Sequence, residues 1–360
     1  MWLKSIKTAC ILFAGSTFAL AQSSINAPKY SNEFLNIGIG ARALGMGNTQ
    51  VAVTNDVYAG YWNPAGLTSL SNKYEVAYMH AEYFAGIAKF DYASVATKLD
   101  TSSTLALSYI RFGIDNIPDT RFLYDASGTI NYNNIRFFSA TDNAFLLSYA
   151  RKNLGISGLN VGANFKVIYR NVGSFANAWG IGVDASAKYK YKKWYLGAMI
   201  RDITNTWNMW SVNSELLKDV YTATNNTIPT NSIELTLPRL ILGFAREFRF
   251  KEKYGVLASA DFDFTFDGKR NTVISTKAFS TDPKIGLEID YSKKIFIRAG
   301  IANIQQLKKD YTTDKYWSIS PNFGVGVKIN RFSLDYALTT LAGISQSGLY
   351  SNIVSLKVGI

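Results

Sequence analysis

A closed, all-β, antiparallel transmembrane β-barrel of about fourteen strands, carrying an N-terminal Gly-rich hatch, is the architecture the sequence predicts. Three observations predict it. Long segments alternate polar and apolar residues with period two, aromatic residues gather near the ends of those segments, and short and long links take turns along the chain.

The first 21 of 360 residues read as an export signal. Lys4 and Lys7 precede a short apolar run over 9–18, and Ala19-Leu20-Ala21 supplies the small-x-small cleavage pattern, so the mature chain is expected to start near Gln22. That run is too short to span a bilayer, and no later stretch reaches ~20 unbroken apolar residues. Cys10 lies inside the signal and is preceded by Lys7-Thr8-Ala9, so a lipid anchor is not expected, and the mature chain keeps no cysteine for disulfides, thiolate metal sites or nucleophilic catalysis. The net charge of +12 falls to +10 with the signal, which carries two lysines and no acid. In an exported chain this balance suits anionic outer-membrane lipids better than nucleic acid. The charges are scattered rather than clustered, as a merely solvated basic surface would also have them.

Residues 22–72 read as the hatch and 73–360 as the barrel. The stretch from Asn32 to Leu70 lacks steady alternation and is rich in Gly and Ala. Gly38, Gly40, Gly45, Gly47, Gly60 and Gly66 permit tight backbone paths, and Asn63-Pro64-Ala65-Gly66 is a turn signal. Packing alone accounts for any one of these residues. With the first strand running outward, the segment is expected to begin and return on the periplasmic side and to block or gate the lumen.

Strands follow at about 73–83, 86–98, 102–112, 143–152, 157–171, 177–191, 193–202, 237–250, 253–266, 283–292, 294–302, 317–330, 331–340 and 348–360. Between Tyr254 and Phe266 one face carries Val256, Ala258, Ala260, Phe262 and Phe264, and the other carries Ser259, Asp261, Asp263 and Thr265. Between Leu159 and Tyr169, Val161, Ala163, Phe165 and Val167 oppose Gly162, Asn164 and Lys166. A soluble sandwich alternates too, but its strands run about 5–6 residues, whereas several of these reach the 9–11 a membrane strand needs. Tyr74, Tyr149, Trp194 and Trp317 stand near strand ends, where interfacial girdles belong.

Bacterial barrels turn tightly at the periplasmic end and carry long loops outside. The links near Asp100, Asn153, Lys192, Lys251, Lys293 and Asn330 are short, whereas 113–142, 203–236, 267–282 and 303–316 are long; of the links expected to be long, the first, near Phe84 to Gly86, is clearly short. The last strand alternates to Ile360, a small departure from the Phe or Trp that many such barrels end on, and pairs with the first to leave no edge.

No catalytic, cofactor or metal site emerges. Gly38-x-Gly40-x-x-Ala43 resembles a dinucleotide fingerprint without its βαβ context. Asp261-x-Asp263 with Asp267-Gly268 lacks the glycine a calcium loop requires. His80 is a lone mid-strand histidine and reads as structural. A surface enzyme would need Asp261, Asp263, Asp115 and Asp119 to converge. Trp207, Met209, Trp210, Leu216 and Leu217 crowd the 203–236 link and are read as an extracellular partner site or a self-packed loop, with a short helix over Ser214 to Val220. Tyr124, Tyr132, Phe137 and Phe138 carry the same two readings in 113–142.

The hatch resembles the PorV/PorQ family of Bacteroidetes outer-membrane proteins, a branch of the FadL-like barrels. The resemblance rests on Phe34-Leu35-x-Ile37-Gly38-x-Gly40-Ala41-Arg42-Ala43-Leu44-Gly45-Met46-Gly47 and on Tyr61-Trp62-Asn63-Pro64-Ala65-Gly66-Leu67. It implies a fourteen-stranded barrel with a hatch. It further implies a non-enzymatic role in type IX secretion, handling cargo with a C-terminal sorting domain through the outer loops. Gly66 stands where the PorV subtype has Lys, which sets this chain apart from that subtype. The alternative implied by the wider group is a FadL-like channel for hydrophobic small molecules.

Overall fold

The computed structural model describes residues 31–125, 127–308, 312, 314–340 and 350–360. The expected signal, Cys10 and the first residues of the hatch lie outside these.

The described residues form β1 (Tyr74–Tyr83), β2 (Ala88–Lys98), β3 (Ser103–Asp119), β4 (Arg136–Arg151), β5 (Leu159–Val172), β6 (Ala176–Tyr191), β7 (Trp194–Arg201), β8 (Thr206–Val212), β9 (Ser232–Thr236) and β10 (Arg239–Phe250). They continue with β11 (Tyr254–Thr265), β12 (Ile274–Ser275), β13 (Ser280–Tyr291), β14 (Ile295–Lys308), β15 (Lys315–Ile329), β16 (Phe332–Thr339) and β17 (Ser351–Gly359). All belong to one sheet, in which β1 pairs antiparallel with both β2 and β17, so the sheet closes.

Fourteen staves make the wall. β7 and β8 both pair with β6 and form the seventh; β9 pairs with β8 and β10 with β7, so β9 and β10 form the eighth. β12 is a two-residue pairing beside β13. The seventh stave breaks at 202–205, where Asp202 and Asn205 have φ of 55° and 59°, and the eighth breaks at Leu237-Pro238, where proline cannot donate to the ladder.

The wall is turned inside out relative to a soluble protein. On β11, Asp261 and Asp263 are 1% and 2% exposed, whereas Phe262 between them is 36% exposed. On β5, Asn164 and Lys166 are buried and Phe165 is exposed. Outward Leu107, Leu147, Ile181, Phe244, Ile289, Ile297, Val325, Leu334 and Val354 are exposed around the circumference. An apolar band that size on a monomer is a lipid-facing surface. Tyr74, Tyr149, Trp194, Tyr254 and Phe332 border it at the short-turn end, and Trp179, Trp207 and Trp317 border it toward the other.

Strand pairing runs further than the apolar pattern does. β3 and β4 continue to Asp119 and from Arg136 across an irregularity at Ile114/Ile117, so the expected loop 113–142 shrinks to 120–135. β8 and β9 likewise consume both ends of 203–236 and leave 213–231. Ladder hydrogen bonds need no apolar side chains, so above the lipid band the staves extend with polar ones. The link at 173–175 is a tight turn, a second short connection at the long-loop end besides the one near Phe84.

Candidate functional site

Residues 31–70 lie inside the barrel as a chain of short helices: Glu33–Asn36, Ala41–Gly45, Ala59–Trp62 and Pro64–Ser69. Gly38, Gly40 and Gly47 have φ of 96°, 82° and 63°, so the bends between these turns fall where side chains are disfavoured. Asn63 caps the last helix by accepting from Ala65 N at 3.1 Å, with Pro64 at its first position. The Asn63-Pro64 turn signal is therefore a helix start.

The two sequence blocks meet in space. The Tyr61 hydroxyl donates to Leu35 O at 2.6 Å, the Trp62 indole to Ile39 O at 2.9 Å and the Asn63 amide to Val51 O at 2.6 Å. A methyl group on Gly66 would lie 2.6 Å from Thr54 O. These contacts tie the segment together.

The wall grips the segment in two ways. Inward Met79, Tyr83, Phe90, Tyr92 and Ile110 on β1–β3 pack with Leu44, Tyr58, Tyr61 and Trp62 in one apolar cluster. The staves on the other side are pared down to backbone. Gly324 faces Gly45, Gly300 and Gly286 face Met46, Gly243 and Gly197 face Val51 and Ala52, and Gly162 faces Pro64 and Ala65. Gly286 pairs with Gly300 across strands, as Gly243 does with Gly197. A side chain at any of these would occupy space the hatch backbone fills.

Polar ties fix the same contact. Arg42 makes a two-pronged pair with Glu288, both bonds at 2.9 Å, and Arg298 joins Glu288 at 2.6 Å and Asp335 at 2.7 Å. Asp261 Oδ2 accepts the backbone N–H groups of Gln50 and Val51 at 2.8 and 3.0 Å. Ala41 N donates to Ser355 at 3.0 Å, Lys188 donates to Thr54 O, and Lys357 pairs with Asp56 at 2.6 Å. Burial works against the Asp56 carboxylate, yet Lys357 and Arg42 outweigh it and hold its pKa below the ordinary value.

The path through the lumen corrects one expectation. Asn208 donates to Ser31 at 3.2 Å and Asn32 donates to Thr236 at 2.8 Å, both high on the seventh and eighth staves toward the long-loop end. Leu70 lies one short link before β1, at the short-turn end. The described segment thus descends through the barrel instead of beginning and returning on one side.

Two adjoining cavities of about 240 and 400 Å³ lie between the upper hatch residues and the wall toward the long-loop side, sharing Glu33, Asn36, Arg239, Thr265 and Arg270. The break in the seventh stave builds part of the first. Asp202 N bonds to Asp184 at 2.9 Å, and Lys166 bridges Asp184 and Asp202 at 2.8 and 2.5 Å. Arg201 donates to Leu35 O at 3.0 Å and Tyr61 O at 3.3 Å, with its guanidinium 4.4 Å from the Tyr61 ring. Arg239 pairs with Asp263 and Arg270 with Asp267.

Trp207, Met209 and Trp210 are not in an outer loop: they stand on β8, with Trp207 and Met209 projecting outward from the wall near Trp179, where a lipid-interface girdle accounts for their exposure. Leu216 and Leu217 lie in the Ser214–Ala223 helix, which Asn213 caps, and Arg121 from the neighbouring loop donates to Leu216 O at 2.9 Å. The two outer loops pack on each other, and Phe137 and Phe138 belong to β4. The acids do not converge: Asp261 and Asp263 face the lumen from β11, while Asp115 on β3 pairs with Lys89 and Asp119 with Arg121. His80 faces outward and bonds Asp91 at 2.7 Å. The girdle glycines, Asp261 and Arg201 were not singled out as hatch contacts from sequence, although each glycine falls on the inward phase of its strand.

No protein-family model and no curated protein matches the chain. Among solved structures, the chain is similar to the monoaromatic hydrocarbon channel CymD (TM-score 0.56, 13% identity, covering 90% of this chain and 98% of that one). It is also similar to the Pseudomonas putida toluene transporter TodX (0.55, 15%, 89% and 96%) and the Ralstonia pickettii toluene transporter TbuX (0.53, 12%, 90% and 98%). At such identities the likeness is one of fold: a closed, fourteen-stave antiparallel barrel.

Proposed function

We propose that this chain is a non-enzymatic outer-membrane channel that admits small molecules of apolar character, with residues 31–70 closing the lumen. The observation that carries the reading is the arrangement inside the barrel: a segment packed on β1–β3 and on the inward glycines of the opposite staves, with cavities between its upper residues and the wall toward the long-loop end. The likeness of fold to proteins whose names describe toluene and hydrocarbon transport supports it. The apolar outer band and the expected export signal support the outer membrane as its location. A deletion strain should lose uptake of labelled monoaromatic hydrocarbon and regain it with the wild-type chain; uptake at the parental rate without the chain would sink the proposal.

A role in type IX secretion, through components of that system or cargo sorting domains, is favoured by one observation, the resemblance of the two hatch blocks to the PorV/PorQ family. These blocks point inward and tie the hatch together, and Trp207 and Met209 point at the membrane, which leaves the outer loops around Leu216 as the surface for such a partner. Recovery of a sorting-domain protein on the tagged barrel, lost on removing residues 213–231, would move the assignment there.

A further inference from the structure

We propose that the short-turn rim of the barrel is a docking ring for anionic phospholipid headgroups of the periplasmic leaflet, held by lysines and arginines of the turns and of the outward strand ends beside them. The inference goes beyond the channel reading and does not depend on it.

Charges that are scattered along the sequence gather in space. The segments at the short-turn end are 71–73, 99–102, 152–158, 192–193, 251–253, 292–294 and 330–331, and they carry nine lysines and arginines against two acids. The long-loop links 84–87, 120–135, 173–175, 213–231, 266–279, 309–314 and 340–350 carry six of each. The rim's surplus of seven is thus the larger part of the +10 expected of the mature chain.

The fold itself does not use this charge. Among the described residues, the ion pairs at this end belong to Arg249 and Lys357, and none of the nine takes part in one. Of the two acids, Asp100 is taken up by the backbone, accepting from Ser102 N and Ser103 N at 2.6 and 2.8 Å. The turns do not call for lysine either. Lys192, Lys251 and Lys293 have φ of 53°, 45° and 54°, where asparagine or glycine is less strained, so the charge sits there against the backbone preference.

Position selects the partner. Lys73 lies over the Tyr74 ring and Lys192 over the Tyr191 ring, each 5.3 Å from the centroid, and Arg246 stands 4.8 Å from the Trp194 ring. Those three rings are exposed on the outward face where the apolar band ends, so the cations on them lie at the lipid interface and not over the periplasmic mouth. Charged turns stand beside β1, β5, β7, β11, β14 and β16, which spreads them around the circumference. A lipid annulus meets such a ring on all sides, whereas one folded protein docked on the outside would meet only an arc of it. Phosphate headgroups supply the opposite charge at that depth, and each lysine near an anionic surface is worth about fivefold in affinity.

The test is lipid competition. The full purified chain is folded into vesicles of equal parts phosphatidylglycerol and phosphatidylcholine, extracted, and its retained lipid counted by native mass spectrometry. The wild type should favour phosphatidylglycerol by about fivefold or more, and by less as added salt shortens the Debye length. Lys192→Asn combined with Lys251→Asn and Lys293→Asn should lower that preference by about two- to fivefold. Because asparagine suits positive φ, this variant should keep the heat-dependent gel migration of the folded barrel. Lys218→Gln combined with Lys269→Gln and Lys277→Gln removes the same charge from the long-loop end and should leave the preference unchanged. An equal loss in the two triple variants overturns the assignment to the rim. Equal retention of the two lipids by the wild type overturns the lipid as partner and leaves the ring to a soluble acidic one; neither result touches the channel reading.

Discussion

Replacing Gly47 with Ala should free the hatch while leaving the barrel assembled. Gly47 has φ of 63°, and a Cβ there would lie 2.9 Å from Ile301 N and 3.0 Å from Ile301 O. The left-handed backbone costs a side-chain-bearing residue about 1–2 kcal/mol. Overpacking against a wall strand that cannot retreat costs about 1–3 kcal/mol more. Together these give roughly 2–5 kcal/mol against the docked state, or about 30-fold to several thousand-fold in the opening equilibrium. Hydrogen exchange of the amides in 41–54 reads that equilibrium directly, and heat-dependent gel migration reports the barrel. Gly45→Ala, whose Cβ would lie 2.9 Å from Gly324 Cα at an ordinary φ, isolates the packing part. Gly86→Ala, with φ of 87° and only the Glu82 carboxylate near its Cβ at an ordinary 3.7 Å, isolates the backbone part at a site remote from the hatch. Hatch amides in Gly47→Ala as protected as in the wild type would refute the packing argument. Loss of the barrel would show instead that the wall cannot form without the hatch.

Two further expectations follow from the ties and the outer surface. Because Asp56 has a lower pKa folded than unfolded, its contribution to hatch docking is complete above the unfolded value of about 3.9 and is lost as pH falls through the folded one. Hatch protection should therefore decline as pH falls below about 4, and Lys357→Met should lose most of that acid step; an acid step of the same size in both chains would contradict the assignment. On the outer face, Val325→Arg in mid-β15 should cost about 2–4 kcal/mol of folding into lipid vesicles, against about 0–1 kcal/mol for Met209→Arg near the girdle. Equal costs measured by urea titration would mean that Trp207 and Met209 do not mark the interface.

The wall was legible in the sequence because period-two alternation reports two environments, and in β5 and β11 these are lipid and a polar lumen. Strand ends were less legible where β3, β4, β8 and β9 outrun the bilayer: their backbones go on pairing after the outward side chains turn polar at Arg111, Asn143 and Ser211, so nothing in the pattern marks the continuation. Trp207 and Met209 were misplaced for the same reason. Lipid-interface aromatics and an aromatic docking patch have the same composition, and only the strand beneath them separates the two.

The hatch contacts had a readable signal of a different kind. In β1, Val76 and Tyr78 face lipid, yet Ala77, Met79, Ala81 and Tyr83 on the opposite phase are apolar too, and β2 repeats this inward with Phe90 and Tyr92. A strand apolar on both faces in a barrel whose other staves turn Asp, Lys or Gly inward must be covered from inside. The inward glycines of β5, β7, β10, β13, β14 and β15 say the same thing oppositely: bare backbone is tolerated mid-wall only where another backbone fills the space. Read together, the two kinds of stave locate the side against which the hatch is packed and the side against which it is pinned. What they do not encode is the direction of travel. That is set by Asn208 and Thr236, two ordinary polar residues whose role exists only because Ser31 and Asn32 lie beside them.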